Sequence, residues 1–150
     1  MKHRFLTACL AMLCFATSSI MNAENAKPFV IPELRQWQGA EGMTAISAKT
    51  KILYADESLA DAANALAADY GLFFGKGLKS KTVKETANAA VGTIVISLIN
   101  DEELGDEGYT MEILADRINV ASVSTTGNMY GMQTILQMVK LDAEGFAIGQ

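Results

Sequence analysis

The sequence predicts an α/β domain of the α+β kind, a mixed β-sheet of about five strands with two main helices packed on it, preceded by a signal peptide. Three observations point there. The β-branched run Thr93-Ile94-Val95-Ile96-Ser97-Leu98-Ile99 has the character of a strand covered on both faces. Two stretches repeat apolar residues at helical spacing, and the other apolar segments are short and strand-like. Their order is strand, strand, helix, strand, strand, strand, helix, which suits one sheet with helices on it.

At the front, basic Met1-Lys2-His3-Arg4 leads into an apolar run from Phe5 to Ala16, about the length of a signal-peptide core. Thr17, Ser18, Ser19 and Asn22 interrupt it before the roughly 20 apolar residues that a bilayer span requires. Residues 1–23 therefore read as a signal peptide cut after Ala23, and the product as secreted or periplasmic. Leu6-Thr7-Ala8-Cys9 resembles a lipobox, but a cut there leaves almost no apolar core ahead of it.

Residues 24–29 read as an extended segment, and Pro28 and Pro32 around Val30-Ile31 allow at most a short edge strand. Met43 to Ile46 and Lys51 to Tyr54 read as two strands joined by a tight connection. Asp56-Glu57-Ser58 supplies capping oxygens for a helix in which Leu59, Ala63, Leu66 and Tyr70 share a face, with Gly71 as its stop. Residues 71–92 read as loop with a short strand near Thr82-Val83. Thr93 to Ile99 then supplies the centre of the sheet.

Tyr109 to Leu114 and Ile118 to Val123, split by Ala115-Asp116-Arg117, fit a hairpin. Ser124, Thr125 and Thr126 offer caps for a second helix reaching about Val139, with Met129, Met132, Leu136 and Val139 on one face. Gly127 and Gly131 lie one turn apart on it, where missing side chains permit close packing. The domain is expected over residues 30–142, with 143–150 a linker.

The only cysteines, Cys9 and Cys14, and the only histidine, His3, fall in the signal. What remains can build neither a disulfide nor a thiolate site, and by itself no usual structural zinc site or Ser-His-Asp triad. Losing Lys2 and Arg4 leaves 10 basic residues against 17 acidic ones, a formal balance of −7. That sign disfavours nucleic acid and anionic membrane surfaces as partners.

Asp56-Glu57, Asp101-Glu102 and Asp106-Glu107 could in principle divide acid and base roles. The last two sit in a charge-dense stretch that reads as a solvated turn, with nothing apolar to raise one carboxyl's pKa. That stretch lacks the alternating spacing of a calcium loop. Gly71-Leu72-Phe73-Phe74-Gly75-Lys76-Gly77 departs from a phosphate loop in spacing and follows a helix instead of a strand. No catalytic, metal or cofactor residue is assigned, and no cofactor is implied. Tyr130, Gln133 and Gln137 on the second helix, with Trp37, are the candidates for a surface that packs on another domain or meets a ligand; solvent exposure explains the polar stripe equally well, and a tyrosine such as Tyr130 more often fills a core or an interface than a ligand pocket.

Two motifs, in order, carry a resemblance. Gly105-Asp106-Glu107-Gly108-Tyr109-Thr110-Met111-Glu112-Ile113 and Gly127-Asn128-Met129-Tyr130-Gly131-Met132-Gln133-Thr134-Ile135-Leu136-Gln137 resemble a loop-to-strand motif and a helix motif. Both belong to the N-terminal accessory domain of family 20 glycoside hydrolases, the β-N-acetylhexosaminidases. Related accessory domains precede the barrels of some other glycosidase families. The resemblance implies a secreted or periplasmic enzyme that removes terminal N-acetylhexosamines, with an Asp-Glu pair in a separate barrel and the substrate's acetamido group as nucleophile. None of the three Asp-Glu dipeptides here has the barrel pair's context. A (β/α)₈ barrel needs roughly 250 further residues, so this chain is expected either to support a barrel supplied elsewhere or to be a free-standing module that binds glycans or another exported protein.

Overall fold

The computed structural model describes residues 24–86, 89–142 and 145–150, so the expected signal peptide and its Cys9, Cys14 and His3 lie outside the described residues. The elements are β1 (Met43–Ile46), β2 (Lys51–Tyr54), α1 (Ala60–Asp69), α2 (Gly71–Phe74), β3 (Lys79–Thr82) and β4 (Thr93–Leu98). They continue with β5 (Tyr109–Ile113), β6 (Arg117–Ser122), α3 (Thr125–Met138), β7 (Lys140–Asp142) and β8 (Gly145–Gly149). A five-stranded sheet runs β3-β2-β4-β6-β5, with β4 at its centre, where the β-branched run belongs. β2 lies parallel to β3 and β4, β4 parallel to β6, and β5 closes the expected antiparallel hairpin with β6.

Ile52, Ile94 and Ile118 share one register row across β2, β4 and β6. With Ile96 and Val120 they form the sheet's side of the core, against Leu59, Leu66 and Tyr70 around α1 and Met132 and Ile135 on α3. Burying one such aliphatic side chain stabilises the fold by about 1.5 to 3 kcal/mol. On the second face, Thr93 donates its hydroxyl to the Ala90 carbonyl (2.7 Å) and Arg117 reaches the Ala89 carbonyl (3.5 Å). The segment joining β3 to β4 thus lies against the side away from the helices, and Thr93 to Ile96 are buried on both faces as a parallel interior strand requires.

Four expectations change. β1 and β2 do not pair with each other: β1 joins β8 and β7 in a separate three-stranded sheet. The burial patterns explain it, since β1 alternates exposed and buried while three successive residues of β2 are buried, suiting it to the sheet interior. Residues 145–149, expected within a linker, are the strand that pairs with β1 from Met43↔Gly149 to Ile46↔Phe146. Gly71 does not end its helix; it opens α2, and the chain turns at Gly75, whose φ of 70° suits a residue without Cβ. The short strand expected near Thr82-Val83 spans Lys79–Thr82.

The helix start follows the expectation more closely. The Asp56 side chain accepts from the Ser58 N–H (2.9 Å) and caps a 3₁₀ turn, Glu57–Leu59, that runs into α1. The leading segment is extended and tied down. Asn25 donates its side-chain amide to the carbonyls of Ala40, Gly42 and Gln150, at 2.8, 2.7 and 3.1 Å, joining three chain segments. Val30 is buried between exposed Phe29 and Ile31, and the Ile31–Pro32 peptide is cis.

Candidate functional site

The two motif segments meet in space, and α3 is what they position. A Cβ on Gly127 would stand 2.3 Å from the Gly108 carbonyl oxygen, and one on Gly131 would stand 2.5 Å from Val120 Cγ1 and 3.1 Å from the Tyr109 ring. Only hydrogen at both positions lets the helix approach β5 and β6 this closely. Polar groups fix the seat. The Tyr109 hydroxyl and Thr134 Oγ1 share a hydrogen bond of 2.6 Å. Asn128, fully buried, donates to the Ser97 carbonyl at 2.8 Å. Ser124 caps α3 by accepting the Gly127 N–H at 3.0 Å, and its hydroxyl donates to the Asp106 carbonyl. The motifs therefore serve the packing of a helix on a sheet.

That seat turns α3 away from the expected phase. The buried side is Gly127, Asn128, Gly131, Met132, Thr134, Ile135 and Met138. Of the expected apolar face, Met132 is inside, Leu136 and Val139 are half-buried, and Met129 is exposed. Close approach at the two glycines sets the rotation, overriding the methionine spacing.

Of the candidate residues, Tyr130 stands outward at 42% exposure beside Met129, also 42%. Gln133 is exposed one turn on and donates to Asp69 Oδ2 at 3.4 Å, bridging α3 to the end of α1. Gln137 lies another turn along and binds the leading segment: it accepts the Ile31 N–H at 2.9 Å and donates to the Ile31 carbonyl at 3.0 Å. Tyr130, Gln133 and Gln137 thus share one outer face. Trp37 stands apart, half-buried against the core, its indole N–H donating to the Asn25 carbonyl at 3.1 Å. Sequence reasoning missed four strongly outward apolar residues, Leu72 at 88%, Phe29 at 88%, Val91 at 78% and Ile31 at 70% exposure. The available signal was a large apolar side chain directly beside a glycine, Gly71 or Gly92, or among the prolines, where neither periodicity would bury it.

Charge is sparse on that outer helix surface and dense elsewhere. Asp101 accepts from the Glu103 N–H at 3.1 Å and caps a second 3₁₀ turn, Glu102–Leu104, while Glu102, Glu103, Asp106 and Glu107 are exposed. Hydrogen bonds from the Ser58 hydroxyl and N–H hold the Asp56 carboxyl below its ordinary range. Burial pushes the Tyr70 hydroxyl's pKa up. Among the described residues no three of His, Cys, Asp or Glu are grouped to hold a metal ion. A depression of about 270 Å³ at the junction of the two sheets, lined by Thr44, Ser47, Lys49, Val91 and Asp116 among others, contains none of the candidate residues.

The model of glycosyl hydrolase family 20, domain 2, matches residues 27–149. A lacto-N-biosidase from Bifidobacterium bifidum is 25% identical over 114 residues, which is 76% of this chain and 10% of that protein. The fold matches a β-N-acetylhexosaminidase from Bacteroides fragilis at TM-score 0.57 and 18% identity, over 80% of this chain and 23% of that one. It also matches an N-acetyl-β-hexosaminidase from Streptomyces plicatus at TM-score 0.58 and 20% identity, over 71% of this chain and 22% of that one. This chain thus spans a quarter or less of each of these relatives. A family match over residues 27–149, on a fold whose two motifs lock α3 to the sheet, makes the chain a member of glycosyl hydrolase family 20, domain 2, the accessory domain of family 20 enzymes.

Proposed function

We propose that the chain is the non-catalytic N-terminal domain of an exported β-N-acetylhexosaminidase-like glycoside hydrolase, and that it packs against and supports the catalytic barrel. The observation that carries this is the outer helix surface. Its inner counterpart is spent on seating α3, whereas outside Met129 and Tyr130 present apolar area beside the uncharged amides of Gln133 and Gln137. Aromatic and methionine side chains with few charges are the composition of an interface centre. The relatives named above are glycosidases several times longer than this chain, which supports a partner domain as the occupant. In this reading the barrel supplies the Asp-Glu pair, the substrate's acetamido group supplies the nucleophile, and terminal N-acetylhexosamines are released.

The test is the mass of the native product in the producing organism, detected with an antibody against this domain. A species several times larger than 16.1 kDa supports the reading. A species slightly below that mass, matching loss of residues 1–23, contradicts it and favours a free-standing exported module that binds glycans or another protein.

A further inference from the structure

The face of the five-stranded sheet away from the helices carries an unbalanced charge. The register pairs Lys79 on β3 directly with Lys51 on β2, and Lys81 with Leu53, so Lys51, Lys79 and Lys81 point to the same side. Neighbouring strands lie about 4.8 Å apart, and alternate residues of one strand about 7 Å apart, so the three ammonium groups can converge on one ligand. All three are exposed. The one ion pair among the described residues, Lys27 with Glu33 at 2.7 Å, involves none of them. Among the strand residues of this face the one carboxylate, Glu112, is on β5 at the opposite edge and accepts from Asn119 at 3.0 Å, Arg117 on β6 adds a further cation, and the segment from β3 to β4 that lies against the face brings the exposed pair Lys84 and Glu85, whose charges cancel.

Protection of the sheet edge accounts for only part of this. Lysines on β3 blunt an edge strand. Lys51 does no such work, because β2 has a neighbour on each side, and its charge repels that of Lys79 beside it on β3. A chain with a formal charge of −5 nonetheless gathers them there. Breaks of a local rule are expected at functional or strained positions.

We propose that Lys51, Lys79 and Lys81 form a binding site for the acidic groups of a glycan, either uronate carboxylates or sulfate esters. Bound anions relieve the repulsion within the Lys51–Lys79 pair. The choice of a glycan over other polyanions rests on the glycosidase reading above.

The experiment titrates the purified chain with polygalacturonate and with heparin at low and high salt, with a neutral chitin oligosaccharide, duplex DNA and phosphatidylserine vesicles in parallel. Expected is binding to at least one acidic glycan that salt weakens, and a loss of at least tenfold in the triple variant K51Q/K79Q/K81Q, with K76Q unchanged. The triple variant should melt no lower than the parent, since it loses a repulsion. Failure to bind either acidic glycan overturns the proposal, as does full binding by the triple variant, or equal or tighter binding to DNA or vesicles. None of these outcomes bears on the native mass, so the barrel reading stands or falls separately.

Discussion

Along α3, the side facing the sheet is made of Gly127, Asn128, Gly131, Met132, Thr134, Ile135 and Met138, while the side facing away carries Met129, Tyr130, Gln133 and Gln137. On the inner side the glycines and polar residues have specific neighbours: Gly127 lies against the Gly108 carbonyl, Gly131 against Val120 and Tyr109, Thr134 bonds the Tyr109 hydroxyl and Asn128 the Ser97 carbonyl. On the outer side two amides hold Asp69 and Ile31, and the large side chains reach solvent. One helix therefore answers to two demands. Substitutions inside should be read as stability, and substitutions outside as association.

The largest separation should come from Ile135→Ala, which empties a fully buried site and is expected to cost about 2 to 5 kcal/mol in urea unfolding. Gly127→Ala should follow, at about 1 to 3 kcal/mol, because the new methyl meets backbone that cannot yield, and this outweighs the helical preference for alanine. If Gly127→Ala instead raised stability, the close approach would not be what seats the helix. Tyr109→Phe keeps the ring and removes the bond to Thr134, for about 1 kcal/mol in the same measurement.

Outside, Tyr130→Ala should change unfolding by less than about 0.5 kcal/mol while lowering binding of a surface-hydrophobicity dye. A large destabilisation there would erase the contrast between the two faces. The smallest effect belongs to neither face. Because hydrogen bonds from Ser58 depress the Asp56 carboxyl's pKa, its contribution is present above the ordinary value of 3.8 and is lost as pH falls through the lower folded value. The melting difference between the protein and Asp56→Ala should therefore shrink as pH is lowered below 3.8.

The same contrast explains what could be read from the sequence. β4, the β5–β6 hairpin and the capped start of the first helix were legible because local pattern and final environment agree there. The pairing of β1 with β8 was not, since it joins residues about 100 apart and no local signal encodes a partner at that distance. The rotation of α3 was misread because methionine spacing spoke for one phase and two glycines for another. The sequence left Tyr130 open between core and surface, and gave no sign that Trp37 is held by Asn25, Gln133 by Asp69 and Gln137 by Ile31. Leu72, Phe29, Val91 and Ile31 escaped notice because exposure of a lone apolar residue is decided by tertiary packing.

Hydroxyl-radical footprinting of Met129 and Tyr130, in the isolated chain and in the native product, tests the central claim most directly. The account predicts strong labelling of both residues in the isolated chain, where each is 42% exposed, and protection of both in the native product, where a barrel covers them. Equal labelling in the two would contradict it, leaving the outer face of α3 without a partner.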